Sequence, residues 1–188
     1  MDWGRELAEQ ITWHWRAQLR PRLEGLTDEE YFWEPVPGCW SVRPRAEATT
    51  PTAAGGGDYV IDYAYPAPIP APVTTIAWRI GHILVGVLGW RNARYFGGPQ
   101  VDFDTYVFPV GAVDALRRLD QEYATWVAGI TALTGDELAE NCREPGFENS
   151  SIAALVLHIH RELIHHGAEI ALLRDLYTWR ETGRPIRS

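Results

Sequence analysis

Apolar residues recur every three to four positions along four stretches of the chain, the period of a helix with one buried face. Over residues 3–25 the repeat is carried by Leu7, Ile11, Trp15 and Leu19, with Glu6, Glu9, Gln10 and Arg16 on the other faces. Pro21 predicts a kink or an early stop near the end of this helix. Thr27 before Asp28-Glu29-Glu30 reads as a cap followed by a short helical turn. A second helix runs from a cap at Thr74 or Thr75 to about Phe96, where Gly97-Gly98 stops it, with Ile76, Ile80, Ile83, Val87 and Trp90 as its apolar stripe. A third spans about Val110 to Leu133, with Val113, Leu116, Leu119, Tyr123, Trp126, Val127 and Ile130 inward. Ser150 or Ser151 caps the fourth, which continues to about Thr182 before Gly183 and Pro185.

Between Pro35 and Pro72 the periodicity vanishes and Pro, Gly, Ala and Thr dominate. The stretch is a long connection, with a candidate hairpin around Tyr59-Val60-Ile61-Asp62-Tyr63. A loop of this length inside a compact domain is usually functional or partly disordered. Four amphipathic helices and one extended loop predict an all-α fold, a four-helix bundle forming a single domain over 1–188.

Composition narrows the classes of function. The chain has 188 residues, with 46% hydrophobic, 22% charged and a net charge of −8. No basic stripe is visible, which argues against nucleic acid as a partner. No segment approaches the roughly 20 apolar residues of a membrane span, and charge at Asp2, Arg5 and Glu6 stands where a signal peptide needs an apolar core. Cys39 and Cys142 are far apart, form no CxxC pair and suit reduced packing residues. These features predict a cytoplasmic protein without nucleic acid or membrane as partner. The nine Trp and eight Tyr predict buried aromatic surface or an aromatic pocket, and leave room for a homodimer.

The histidines carry the chemistry. Four of the six, His158, His160, His165 and His166, fall within nine residues of the fourth helix, and His82 lies in the middle of the second. Residues four apart stand one turn above each other, so Glu162 and His166 share a face and His158 extends that row. His165 and Glu169 form a neighbouring row, and His160 points elsewhere. A zinc-type ion takes three protein ligands and keeps one position open. Glu162 and His166 can supply two, and His82, inside an apolar stripe, is the candidate third. The plainer alternative is an ordinary core network, since a lone inward histidine is more often a packed residue than a ligand. Arg79, three residues before His82, suits an interhelical salt bridge or the binding of an anionic substrate.

Four segments resemble the DinB-like metalloprotein superfamily, which includes the mycothiol-dependent maleylpyruvate isomerases and the bacillithiol transferases. They are Leu26-Thr27-Asp28-Glu29-Glu30-Tyr31-Phe32-Trp33-Glu34-Pro35, Pro37-Gly38-Cys39-Trp40-Ser41-Val42, Thr75-Ile76-Ala77-Trp78-Arg79-Ile80-Gly81-His82-Ile83, and Glu162-Leu163-Ile164-His165-His166-Gly167-Ala168-Glu169-Ile170 with Leu172-Leu173-Arg174. The ordered set, rather than any single piece, is specific. The resemblance implies a four-helix bundle holding one divalent metal ion, zinc or nickel, with His82, Glu162 and His166. Glu162 departs from the His that many members carry there and is similar to the isomerase branch. The resemblance also implies a low-molecular-weight thiol such as mycothiol as co-substrate, and a metal-dependent thiol transferase or isomerase activity. All 17 basic residues are Arg, which suits a GC-rich, actinobacterial source where mycothiol is the expected thiol. His158, His165 and Glu169 are candidates for a supporting shell around the ligands. A non-catalytic, metal-stabilised helical bundle acting as a binding or dimerisation module is the alternative.

Overall fold

The structure is a computed structural model and describes residues 1–180. It is mainly helical, with four long helices. Helix α1 comprises Trp3–His14, a π-helical stretch Trp15–Leu19 and a last turn Arg20–Arg22. A short helix α2 (Asp28–Tyr31) follows, capped by Thr27 as the sequence predicts. Helix α3 comprises Ile76–His82, a π-helical stretch Ile83–Gly89 and Trp90–Tyr95. Helix α4 is Ala112–Ala132, α5 is Gly135–Ala139 and α6 is Ile152–Trp179. The predicted end of the last helix at Thr182 lies outside the described residues.

Helix starts follow side-chain chemistry. Thr75 and Ser151 accept hydrogen bonds from the backbone of Trp78 and Ala154, each satisfying one of the amide donors left orphaned in the first turn. Helix α4 begins at Gly111, which has no side chain to offer, and the carboxylate of Asp28 caps it instead by accepting from Ala112 N at 2.7 Å. A negative group there also complements the helix dipole. Helix α5 is absent from the periodicity, but its Thr134–Glu137 capping box is a signal the sequence does carry.

The π-helical stretches explain where the predicted faces drift. The early stop predicted at Pro21 is seen, α1 ending at Arg22 and short of residue 25. The chain widens into π turns before Pro21. In α3, Ile76, Ile80, Ile83 and Val87 are buried as predicted, while Trp90 is 53% exposed. Seven residues of wider turns lie between, each advancing less around the axis, so the stripe rotates away from Trp90. In α4 the buried row is Ala112, Ala115, Leu119, Tyr123, Trp126 and Ile130. Val113, predicted inward, is 81% exposed because it stands about 100° from that row.

The core draws on α1, α3, α4 and α6 together. Trp15 of α1 stacks on Tyr123 of α4 at 4.0 Å, and Phe96 beyond α3 meets Trp126 of α4 edge-on at 5.4 Å. Glu30 of α2 is clamped by Arg174 of α6 through two contacts of 2.6 and 3.0 Å. The long connection is ordered around a two-stranded antiparallel sheet, β1 (Val42–Pro44) with β2 (Tyr59–Ile61), Val42 opposite Ile61. Ile61 also pairs locally with Ala54 through backbone hydrogen bonds of 3.0 and 2.8 Å, so the pairing around Tyr59–Tyr63 is joined by a more distant strand rather than being one local hairpin. Asp62, 1% exposed, anchors the arrangement. It accepts from Ser41 N at 3.0 Å, Arg43 Nε at 2.7 Å and Thr49 N at 3.3 Å. Ser41 Oγ in turn meets Thr75 Oγ1 at 2.9 Å, docking the loop on the start of α3.

Candidate metal centre

Helix packing brings α3 and α6 together at their polar residues. The rings of His82 and His166 meet edge-on with centroids 4.9 Å apart. One turn back on α6, Glu162 places Oε2 at 3.6 Å from His166 Nε2. The three residues singled out by helical spacing are thus neighbours, contributed by two helices. His158, on the same row, lies 3.7 Å from Glu162 Oε1 and is half-exposed.

Glu169 is closer to His166 than Glu162 is. Its Oε2 is 2.8 Å from His166 Nδ1, while its Oε1 is 3.0 Å from Arg79 Nη2 and 3.5 Å from His165 Nε2. Arg79 therefore makes the interhelical salt bridge. Its Nη1 is also 3.4 Å from His166 Nδ1. A ring nitrogen cannot donate to one neighbour and accept from the other at once. The shorter, charge-assisted contact assigns Nδ1 as donor to Glu169. That tautomer leaves the Nε2 lone pair of His166 free on the side of Glu162.

Two groupings of donors follow. One ligand atom each from His165, His166 and Glu169 lies within 4.8 Å of the others. In the second grouping, Glu162 Oε2 lies 3.6 Å from the free nitrogen of His166, and the His82 ring packs edge-on against the His166 ring. Both groupings offer the imidazole nitrogens and carboxylate oxygen that a zinc-type ion takes. The burial differs: the His165 side chain is 63% exposed, whereas His166 is buried and His82 half-buried.

Electrostatics keep the inner rings neutral, as ligation requires. Burial pushes the His82 pKa down to about 4, with His166, Arg79 and Arg91 adding to the effect. His166 is lowered by burial, and its bond to Glu169 opposes the shift. His160 is buried beside Trp126 at 6.1 Å and is likewise pushed down to about 4 by burial; it packs in the core, away from the cluster. Unfolded, an imidazole titrates near 6.5, so between about pH 6.5 and 4 the unfolded chain binds the proton that folded His160 refuses. Stability then rises with pH across this window, by about 3 kcal/mol from His160 alone. Urea unfolding at pH 7 and pH 5 is expected to show a His160→Leu protein losing about 2 kcal/mol less than the parent on acidification.

His82 is held by flat contacts. Trp78, one turn before it, stacks on its ring at 5.2 Å and Phe103 stacks on the other side at 6.4 Å. Gly86, one turn after, leaves the room it needs, for a Cβ there would come within 3.2 Å of the imidazole. Among the described residues His82 makes no hydrogen bond. It opens instead onto a cavity of about 580 Å³, walled by Trp40, Tyr63, Trp78 and Phe103 among others. None of these wall residues was singled out by the sequence, although Trp78 stands four residues before His82 on the same helix. The loop residues come from segments with no period.

Residues 10–170 match the family model of the DinB superfamily. The chain belongs to the DinB superfamily. No curated protein and no solved structure gives a match. As a DinB-superfamily member of mainly helical fold, the chain carries a His/Glu cluster on α6 that could hold a divalent metal ion. No described helix is long and apolar enough to cross a membrane.

Proposed function

We propose that this DinB-superfamily chain is a metal-dependent thiol S-transferase or isomerase of the mycothiol type, acting on a small molecule. Its four long helices form the family's bundle as one domain, and His82, Glu162 and His166 hold one divalent ion, zinc or nickel. The observation that supports this reading is the free Nε2 of His166, which lies 3.6 Å from Glu162 Oε2 on a ring packed edge-on against His82, itself part of a cavity wall. When bound, such an ion supplies Lewis acidity and lowers the pKa of a coordinated thiol. The chain's own residues do the rest. Glu169 holds the tautomer and orientation of His166, Arg79 holds Glu169, and Trp78 with Phe103 fixes the plane of His82.

A second reading assigns the ion to His165, His166 and Glu169, whose donor atoms lie closest together. The two assign opposite roles to Glu169. As an orienting partner, its replacement by Gln is expected to weaken metal affinity about 10- to 100-fold while leaving one equivalent bound at saturation. As a ligand, its loss would remove stoichiometric binding. Competition with a chromogenic chelator separates these outcomes. The activity itself is tested by a conjugation screen on metal-loaded protein, with mycothiol, bacillithiol and cysteine against a generic electrophile. Turnover above the uncatalysed rate with one thiol is expected. No turnover with any of them leaves a metal-binding module for docking or dimerisation.

A further inference from the structure

The wall of the cavity has a composition that selects a charge. Trp40 lies 6.4 Å from Tyr63 and 6.1 Å from Trp78, tilted by 50° and 38°, so the three rings form an open corner instead of a closed stack. The indole N–H of Trp78 donates to the backbone oxygen of Asp62 at 2.9 Å, which fixes that ring in place. Two carboxylates line the cavity, Asp62 and Asp104, and no arginine does among the described residues that line it. Asp62 is already neutralised by Arg43 at 2.7 Å. Asp104, exposed at the rim, has no ion pair among the described residues. The two cations acting on His82, Arg79 and Arg91, are committed to Glu169 and Glu144. An anion entering here would meet ring faces and a carboxylate, with no donor cation to receive it.

We propose that the cavity binds an organic cation, a quaternary ammonium or protonated amine. Its charged head rests in the corner of Trp40, Tyr63 and Trp78, near Asp104, and the remainder of the molecule reaches toward His82. Aromatic faces attract a cation within about 6 Å of the ring centroid, more strongly when water is excluded. The net charge of −8 favours the approach of such a ligand. This inference rests on the proposed function only in placing the reacting end of the ligand at His82. The site of the head group is independent of any metal.

The test compares three probes of nearly one shape: choline, its uncharged isostere 3,3-dimethylbutan-1-ol, and the anion 3,3-dimethylbutanoate. Binding is read by tryptophan fluorescence and calorimetry on the full chain, with and without added zinc. Choline is expected to bind about fivefold or more tightly than the alcohol, and the anion more weakly than both. Trp40→Leu is expected to abolish the preference for choline and Asp104→Asn to reduce it. The exposed position of Asp104 keeps the second variant informative where the first fails to fold. Equal affinity for choline and the alcohol, tighter binding of the anion, or no binding of choline at millimolar concentrations overturns the proposal. Because binding is read without metal or turnover, its failure is distinguishable from a failure of the metal assignment.

Discussion

His82→Ala is expected to strip the protein of stoichiometric metal, while His165→Ala keeps it. Elemental analysis of protein purified without chelator reads the result directly. The substitution removes the only imidazole that α3 contributes to the cluster, so Glu162 and His166 remain as two ligands from one helix face. The loss of affinity is expected to exceed the roughly 100-fold that removal of an orienting partner brings. The fold should survive. The imidazole makes no hydrogen bond among the described residues, and the Ala leaves a space continuous with the existing cavity. Urea midpoints within about 1 kcal/mol of the parent confirm that metal loss is not unfolding. Full metal content in His82→Ala together with loss in His165→Ala would transfer the centre to the outer trio.

The largest stability effect is expected at Asp62. Asp62→Ala removes the acceptor of three donors, one of them the Arg43 guanidinium, in a place that water does not reach. Breaking a buried ion pair from one side costs about 3–5 kcal/mol, and the lower end is expected because Arg43 keeps Glu34 at 3.0 Å and the Cys39 carbonyl at 2.9 Å. Asp62→Asn keeps an oxygen for one donor but no charge, and is expected to fall between parent and Ala. Urea denaturation of the metal-free protein measures both. A cost below about 1 kcal/mol for the Ala variant would show that the loop is held by something other than this carboxylate.

The helices were legible because burial of one face leaves a period in the sequence. The same rule failed at Trp90, where π turns change the period, and at Val113, where neighbouring apolar residues allow two phases and only packing against α1 decides between them. The caps at Thr75 and Ser151 were legible because their partners are three residues away. The cap on α4 was not, since Asp28 lies far from it in the chain. The cluster was readable for a similar reason: Glu162 and His166 announce themselves by spacing, and His82 by its place in an apolar stripe. What spacing could not rank is whether Glu162 or Glu169 faces the free nitrogen. That depends on ångström-scale distances and on Arg79 reaching across from another helix. Strand β1, three residues including an Arg and a Pro, leaves no pattern at all.

The anchoring of the loop by Asp62 has a consequence for how such a chain can change. The donor cluster is built on two long helices, whereas most of the cavity walls belong to segments around Trp40, Thr52–Tyr63 and Phe103. Only Trp78 and His82 itself bridge the two systems. Selectivity can therefore be rewritten by substitution or insertion in the connecting segments while the helical chassis and its donors are inherited intact, provided the buried carboxylate clasp is retained.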